Sequence, residues 1–369
     1  MNTIEQFLND KLNQRADAGN LRVLPPHQQG IDFRSNDYLG LAQSGLLHVP
    51  YAAGTGATGS RLISGNSADV ERLEAEIAAF HQAGAALLFN SGYDANLGLL
   101  SSIAGRHTTY IYDELCHASI LDGIRLAICK GKYHFNHNDL ASLEGLLQKH
   151  SGSGSVIVVA EAVYSMDGDI APLSAIADLC DRHGAQLIVD EAHATGVIGV
   201  KGEGLVCSLG LAHRVFARVH TYGKAMGCHG AAVVGSSTLR NYLINFARSF
   251  IYTTALPPHS VQAIARAYEL LGAGAVSNAP LLSLIHHFNT SVAAAGLTGF
   301  NNASTPIRAM ITGGNDRTRA LAERLQQAGF LVNPILHPTV PLGSERLRIC
   351  LHSFNTTQQI DELINLLSS

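Results

Sequence analysis

The sequence carries little charge for its length: only 15% of its 369 residues are Asp, Glu, Lys or Arg. Disordered tracts and coiled coils are built on charged residues, so neither is the main architecture. Twenty-five basic residues against 29 acidic ones give a formal net charge of −4. That balance leaves no basic footprint for nucleic acid or an anionic membrane surface. No apolar run reaches the roughly 18 residues that a membrane-spanning helix needs. The N-terminus has neither a basic start nor an uninterrupted apolar core, so we expect no signal peptide and a cytoplasmic location. The six cysteines, at 116, 129, 180, 207, 228 and 350, include no CxxC pair. They fit free thiols in a reducing compartment rather than a disulfide framework.

What the chain does have is an apolar fraction of 46% and 36 glycines, enough for a sizeable core and many tight turns. Short apolar runs at 84–89, 108–113, 155–163, 186–192, 214–221 and 230–235 read as strands. Amphipathic patterns such as 70–84 and 172–184 fall between them as helices. Continuous apolar strands alternating with helices predict an α/β fold with a mostly parallel sheet covered on both faces. The expected organisation is an N-terminal arm (1–44), a large domain (45–274) and a small C-terminal α+β domain (275–369). The arm opens on a short amphipathic helix with Ile4, Phe7, Leu8 and Leu12 on one face.

Several motifs are decoys. Gly54-Thr-Gly-Ala-Thr-Gly59 spells GxGxxG but follows no strand, so the strand–turn–helix context of dinucleotide binding is missing. Asp190-Glu-Ala-His193 spells a helicase box, yet Gly223-Lys224-Ala225 lacks the Ser or Thr of a phosphate-binding P-loop. Eighteen histidines form no HExxH and no compact Cys/His quartet, so no metal site is expected. Cys116-His117 is a poor nucleophile–base pair, because adjacent side chains on an extended chain point apart.

The ends of the predicted strands are more informative, since open parallel sheets bind ligands at their carboxyl edge. Leu187-Ile-Val-Asp190 ends a buried run on a carboxylate that calls for a cationic partner, with His193 just beyond. Thr221 and Lys224 leave the next run in a Gly-flanked turn. Ser91-Gly92-Tyr93 lies between a strand and a helix start, where backbone N–H groups suit a phosphate. Singly, each has a plain structural explanation as a surface lysine, a helix cap or a turn glycine. Together they supply an amine for an aldehyde, a carboxylate for a pyridine nitrogen and a nest for a phosphate. Those are the demands of pyridoxal 5′-phosphate (PLP).

Asp190-Glu-Ala-His193, the Thr-x-Gly-Lys of Thr221–Lys224, the Ser-Met-Asp-Gly-Asp of Ser165–Asp169 and Ser35-Asn-Asp-Tyr-Leu-Gly-Leu41 resemble the α-oxoamine synthases. These are PLP enzymes of the aspartate aminotransferase fold (fold type I), and the resemblance runs from Arg22 to the C-terminal helix. Residues 134–140, 252–258 and 337–341 resemble the branch of biotin biosynthesis that joins L-alanine to a pimeloyl thioester. The alternative within the family is a synthase using glycine or serine.

The resemblance implies that Lys224 forms the Schiff base and later moves protons, and that Asp190 pairs with the pyridinium nitrogen. It places His193 and Ser165 near the phenolic oxygen and stacks His117 on the ring. It assigns the phosphate to Gly92, Tyr93 and Thr221, with Thr253 or Thr254 reaching over from a second subunit. It gives the amino-acid carboxylate to Asn36 and Arg348, and sets Arg22 near the acyl entrance, where a plain surface arginine is the competing explanation. A homodimer with a shared site is implied, and the acyl carrier is either coenzyme A or an acyl carrier protein. Two departures bear on how the acyl chain is read: Leu336 stands where some relatives carry arginine, and the 41–54 loop is shorter.

Overall fold

The computed structural model describes residues 3–24, 28–48, 54–152, 154–301 and 303–368. Part of the 41–54 loop, residues 49–53, lies outside them. The chain divides into two compact units, one of Asn36–Ser165 and Asp169–Pro280, the other of Met1–Ser35, Met166–Gly168 and Leu281–Ser369.

The first unit is built on seven strands: β1 (Ala85–Phe89), β2 (Thr109–Asp113), β3 (Gly131–Phe135), β4 (Val156–Glu161), β5 (Gln186–Asp190), β6 (Ala217–Thr221) and β7 (Ala231–Gly235). They lie in the order β1-β7-β6-β5-β4-β2-β3. The β2/β3, β2/β4, β4/β5 and β5/β6 pairs are parallel, whereas β7 runs antiparallel to both of its neighbours. Inverting β7 alone leaves β1 pointing the same way as β6. The carboxyl ends of β1, β2, β4, β5 and β6 therefore share one edge of the sheet.

Why these segments form such a sheet is visible in their burial. Every residue of β4 is buried, as expected of a central parallel strand covered on both faces. One face packs Leu87, Tyr110, Val159, Ile188, Val219 and Val233 against Leu99, Ile120 and Leu243 of flanking helices. The apolar-run reading missed β3, whose Lys132, Tyr133 and His134 are exposed. It is an edge strand with one neighbour, and charge at an edge discourages further pairing.

The second unit holds a three-stranded antiparallel sheet in which Arg346–Cys350 lies between Ile307–Ile311 and Asn333–Ile335. Helices Ala279–Ala294, Asn315–Gln327 and Thr357–Ser368 accompany it. Its N-terminal helix, Ile4–Asp17, is capped by Thr3, whose hydroxyl accepts from the Gln6 N–H. The expected apolar side, Ile4, Phe7, Leu8 and Leu12, is solvent-exposed in the chain. Among the described residues no helix is long and apolar enough to cross a membrane.

Candidate active site

A cavity opens at the shared carboxyl edge of the first unit. It is lined by Gly92, Tyr93, Asn96, His117, Ser119, Glu161, Asp190, Ala192, His193, Thr221 and Lys224. Seven of the residues singled out from the sequence thus meet in one place.

Lys224 stands three residues beyond β6, in the turn that reverses the chain into β7. Main-chain bonds from Tyr222 to Gly230, Cys228 to Tyr222 and Gly227 to Lys224 close that turn and fix where the side chain starts. Lys224 Nζ lies 2.8 Å from His193 Nε2, and His193 Nδ1 lies 2.8 Å from Tyr38 Oη. The turn carrying His193 is pinned from behind by Glu191, which accepts from the Leu205 and Val206 N–H groups at 2.6 and 3.0 Å. Burial pushes the Glu191 carboxyl up to about 7.

Asp190 ends β5 and is 6% exposed. Its Oδ2 accepts from Asn96 Nδ2 at 2.7 Å and its Oδ1 from the Ala192 N–H at 2.9 Å. Both of these donors are neutral, where the sequence called for a cationic partner. Asn96 follows Gly92 by one helical turn, which brings it onto the same helix face. The same amide reaches Ser119 Oγ at 3.0 Å, and Ser119 Oγ is 2.8 Å from His117 Nδ1. The His117 ring is therefore held by a run of bonds that starts at Asp190. Burial lowers the His117 pKa, and the Lys224 charge adds to that while Asp190 opposes it. Glu161 accepts the His117 main-chain N–H. Burial, then the neighbouring Asp190 charge, push the Glu161 carboxyl up to about 8.

At the other end of the cavity, Gly92 opens the helix Gly92–Ser102, whose N-cap Ser91 accepts from the Asp94 N–H. The N–H groups of Gly92 and Tyr93 belong to the first turn, where helices leave donors without partners inside the helix. A Cβ on Gly92 would stand 2.2 Å from Thr221 Oγ1. The space is thus a cradle that only glycine leaves open, at a helix N-terminus suited to an anion. An amine, a buried carboxylate, two imidazoles and this cradle fit PLP.

Other sequence candidates lie elsewhere. Thr253 Oγ1 and the Thr254 carbonyl both accept from Asn90 Nδ2, at 2.9 and 2.7 Å. Ser165 is half-buried in the turn after β4; Tyr93 stays in the cavity wall but its hydroxyl donates to Asp122. Asn36 Oδ1 accepts from Tyr38 Oη at 3.0 Å. In the second unit Arg22 is exposed, while Arg348 is buried on the central strand and donates to Cys350 Sγ at 3.0 Å. Tyr38, Asn96, Ser119 and Glu161 were not anticipated. Tyr38 did have a sequence signal, its place in Ser35-Asn-Asp-Tyr.

The sequence profile of the aminotransferase class I and II family matches residues 28–367. The chain belongs to this family. It is a PLP-dependent transferase, and within the family it is an α-oxoamine synthase. The 8-amino-7-oxononanoate synthase of Emericella nidulans is 41% identical to it, over 98% of this chain and 92% of that protein. Among solved structures, a variant of serine palmitoyltransferase from S. paucimobilis with a bound PLP–myriocin aldimine superposes with a TM-score of 0.88 at 26% identity, covering 98% of this chain and 96% of that one. The 8-amino-7-oxononanoate synthase of Francisella tularensis does so with a TM-score of 0.77 at 30% identity, covering 92% and 97%. Both neighbours agree with the fold type I architecture that the family resemblance implied.

Proposed function

We propose that the chain condenses L-alanine with a pimeloyl thioester to give 8-amino-7-oxononanoate, CO2 and a free thiol, a step of biotin biosynthesis. The observation that carries this reading is the 41% identity to a synthase of that name across almost the whole chain. The cavity supplies the chemistry. When bound, PLP provides an electron sink for the charge that develops at an amino-acid Cα.

Lys224 would hold the cofactor through its aldehyde, and as a free amine its Nζ would be the base at the substrate Cα. Asp190 keeps the pyridine nitrogen protonated, with Asn96 and the Ala192 N–H fixing the carboxylate. His117, oriented by Ser119, would stack on the ring. His193 and Ser165 would lie near the phenolic oxygen. The N–H groups of Gly92 and Tyr93 and the Thr221 hydroxyl hold the phosphate, joined by Thr253 or Thr254 of a second copy in a homodimer. Asn36 and Arg348 take the substrate carboxylate, and Arg22 guards the acyl entrance. The thioester is carried by coenzyme A or an acyl carrier protein.

A second reading uses glycine or serine in the same cavity, favoured by the 0.88 TM-score to a serine palmitoyltransferase. Thiol release from pimeloyl-coenzyme A in the presence of L-alanine, glycine or L-serine, with mass analysis of the product, separates the two. Alanine-dependent release of 8-amino-7-oxononanoate is expected; release with serine or glycine alone would transfer the chain to the second reading.

A further inference from the structure

Residues 134–140, singled out in the sequence, stand outside the cavity wall. His137, in the turn after β3, instead joins two turns that leave the same sheet edge. Its Nδ1 lies 2.9 Å from Oδ1 of Asp113, the last residue of β2. Its Nε2 lies 2.7 Å from Oδ2 of Asp169, in the turn after β4. The ring also meets Tyr164 edge-on, with centroids 4.5 Å apart. A carboxylate only accepts, so a ring bonded to one at each nitrogen carries both protons. Asp113 is fully buried, which alone would raise its pKa, but bonds from His137 and from the Asn138 and Leu115 N–H groups hold it below its usual value.

Each carboxylate residue also organises its own turn. Asp113 accepts the Leu115 N–H at its side chain and the Cys116 N–H at its carbonyl, at 2.9 and 3.0 Å, which folds the chain just before His117. The Asp169 carbonyl accepts the Tyr164 N–H at 3.0 Å and so closes the turn holding Ser165. Glu114 accepts the His137 main-chain N–H at 3.0 Å. Asn138 spans the same two carboxylates without charge, its N–H on Asp113 at 2.9 Å and its amide on Asp169 at 2.7 Å. The amide nitrogen is 3.2 Å from His137 Nε2, two donors sharing one Asp169 oxygen. Of these two straps, only the imidazolium offsets the negative charge at both ends.

We propose that His137 is a positioning residue whose charged ring ties the turn presenting His117 to the turn presenting Ser165, so that both meet the cofactor as one piece. The inference rests on the reading of His117 and Ser165 as groups at the cofactor's ring.

The first test is hydrogen exchange by mass spectrometry on the full-length chain without PLP. In His137→Gln, peptides covering 113–118 and 163–170 are both expected to exchange at least about tenfold faster than in the parent, while β5 and β6 keep parent rates. Asn138→Gly, which suits the φ of 54° there, is expected to change both far less. Parent-like exchange in either peptide of His137→Gln, or an equal effect of Asn138→Gly, would overturn the bridge. Should His137→Gln not fold, Asp169→Asn, which keeps an accepting oxygen without the charge, is expected to loosen both peptides. Loosening at 163–170 alone would then overturn it.

The second test separates positioning from plain stability. PLP is loaded into variant and parent, and the pH midpoint of its absorbance band is read at a temperature where both stay folded. His137→Gln is expected to move that midpoint by about half a pH unit or more. An unmoved midpoint, with Ser165→Ala or His117→Ala moving theirs, would reduce His137 to a structural residue. If neither of those variants moves the midpoint while His137→Gln loosens both turns, the reading of His117 and Ser165 fails and the bridge stands.

Discussion

Glu161 and Asp190 end neighbouring parallel strands as directly paired residues and both line the cavity, so two buried carboxyl groups share one wall. One buried pocket does not hold two adjacent negative charges cheaply, and the proton settles on Glu161. Its pKa rises from 4.5 to about 8, so between those values the folded chain keeps a proton that the unfolded chain has released. Stability therefore falls as pH rises through that window. Glu161→Gln, which cannot ionise but still accepts the His117 N–H, is expected to lose this dependence. Measured by urea unfolding without PLP, its stability relative to the parent should rise by a few kcal/mol from about pH 5 to about pH 8. A constant difference would mean Glu161 is ionised in the fold.

His137 also has a raised pKa, but there the fold favours the charged form. Burial alone would lower its pKa, but hydrogen bonds to Asp113 at 2.9 Å and Asp169 at 2.7 Å outweigh that and raise it to about 10. The stabilisation is complete below the unfolded value of 6.5 and is lost as pH climbs through about 10. His137→Gln is expected to cost about 2 kcal/mol at neutral pH, after discounting for partial solvent screening. The cost should shrink when unfolding is repeated above pH 10.

Much of this site was legible because its residues sit where the sequence pattern ends abruptly. Leu187-Ile-Val closes on Asp190, and β6 closes on Thr221 three residues before Lys224. Chain direction was harder to read: nothing in Ala231–Gly235 distinguishes an antiparallel strand from its parallel neighbours, since both faces are covered either way. The partners of the candidate site's side chains were also hidden. Asn96 and Ser119 belong to helices 94 and 71 residues from Asp190 in sequence, and an amide or hydroxyl inside a helix carries no local sign of its partner.

The cradle at Gly92 gives a direct test of phosphate binding. Gly92→Ala places a methyl carbon 2.2 Å from Thr221 Oγ1, so Thr221 must turn or the helix must shift. PLP affinity, followed by absorbance titration, is expected to fall at least about tenfold, or ~1.4 kcal/mol. Adding Thr221→Ala should relieve the clash but leave affinity low, because the methyl still occupies the anion's space. Full recovery in the double variant would show that the clash alone mattered.

Arg348→Ala separates substrate binding from cofactor binding. A lost charge-assisted pair with a carboxylate costs about 1.5–3 kcal/mol. Amino-acid affinity of the loaded enzyme is therefore expected to drop at least about tenfold while PLP affinity stays within about twofold. Equal losses would make Arg348 a structural residue of its sheet.

The most direct test of the site itself is to load the chain with PLP, reduce it with borohydride and map the modified peptide by mass spectrometry. The cofactor is expected on the peptide carrying Lys224, and Lys224→Ala should leave no fixed cofactor. Fixing at a different lysine in the parent, or undiminished fixing in Lys224→Ala, would contradict the assignment of the cavity at the strand ends as the active site.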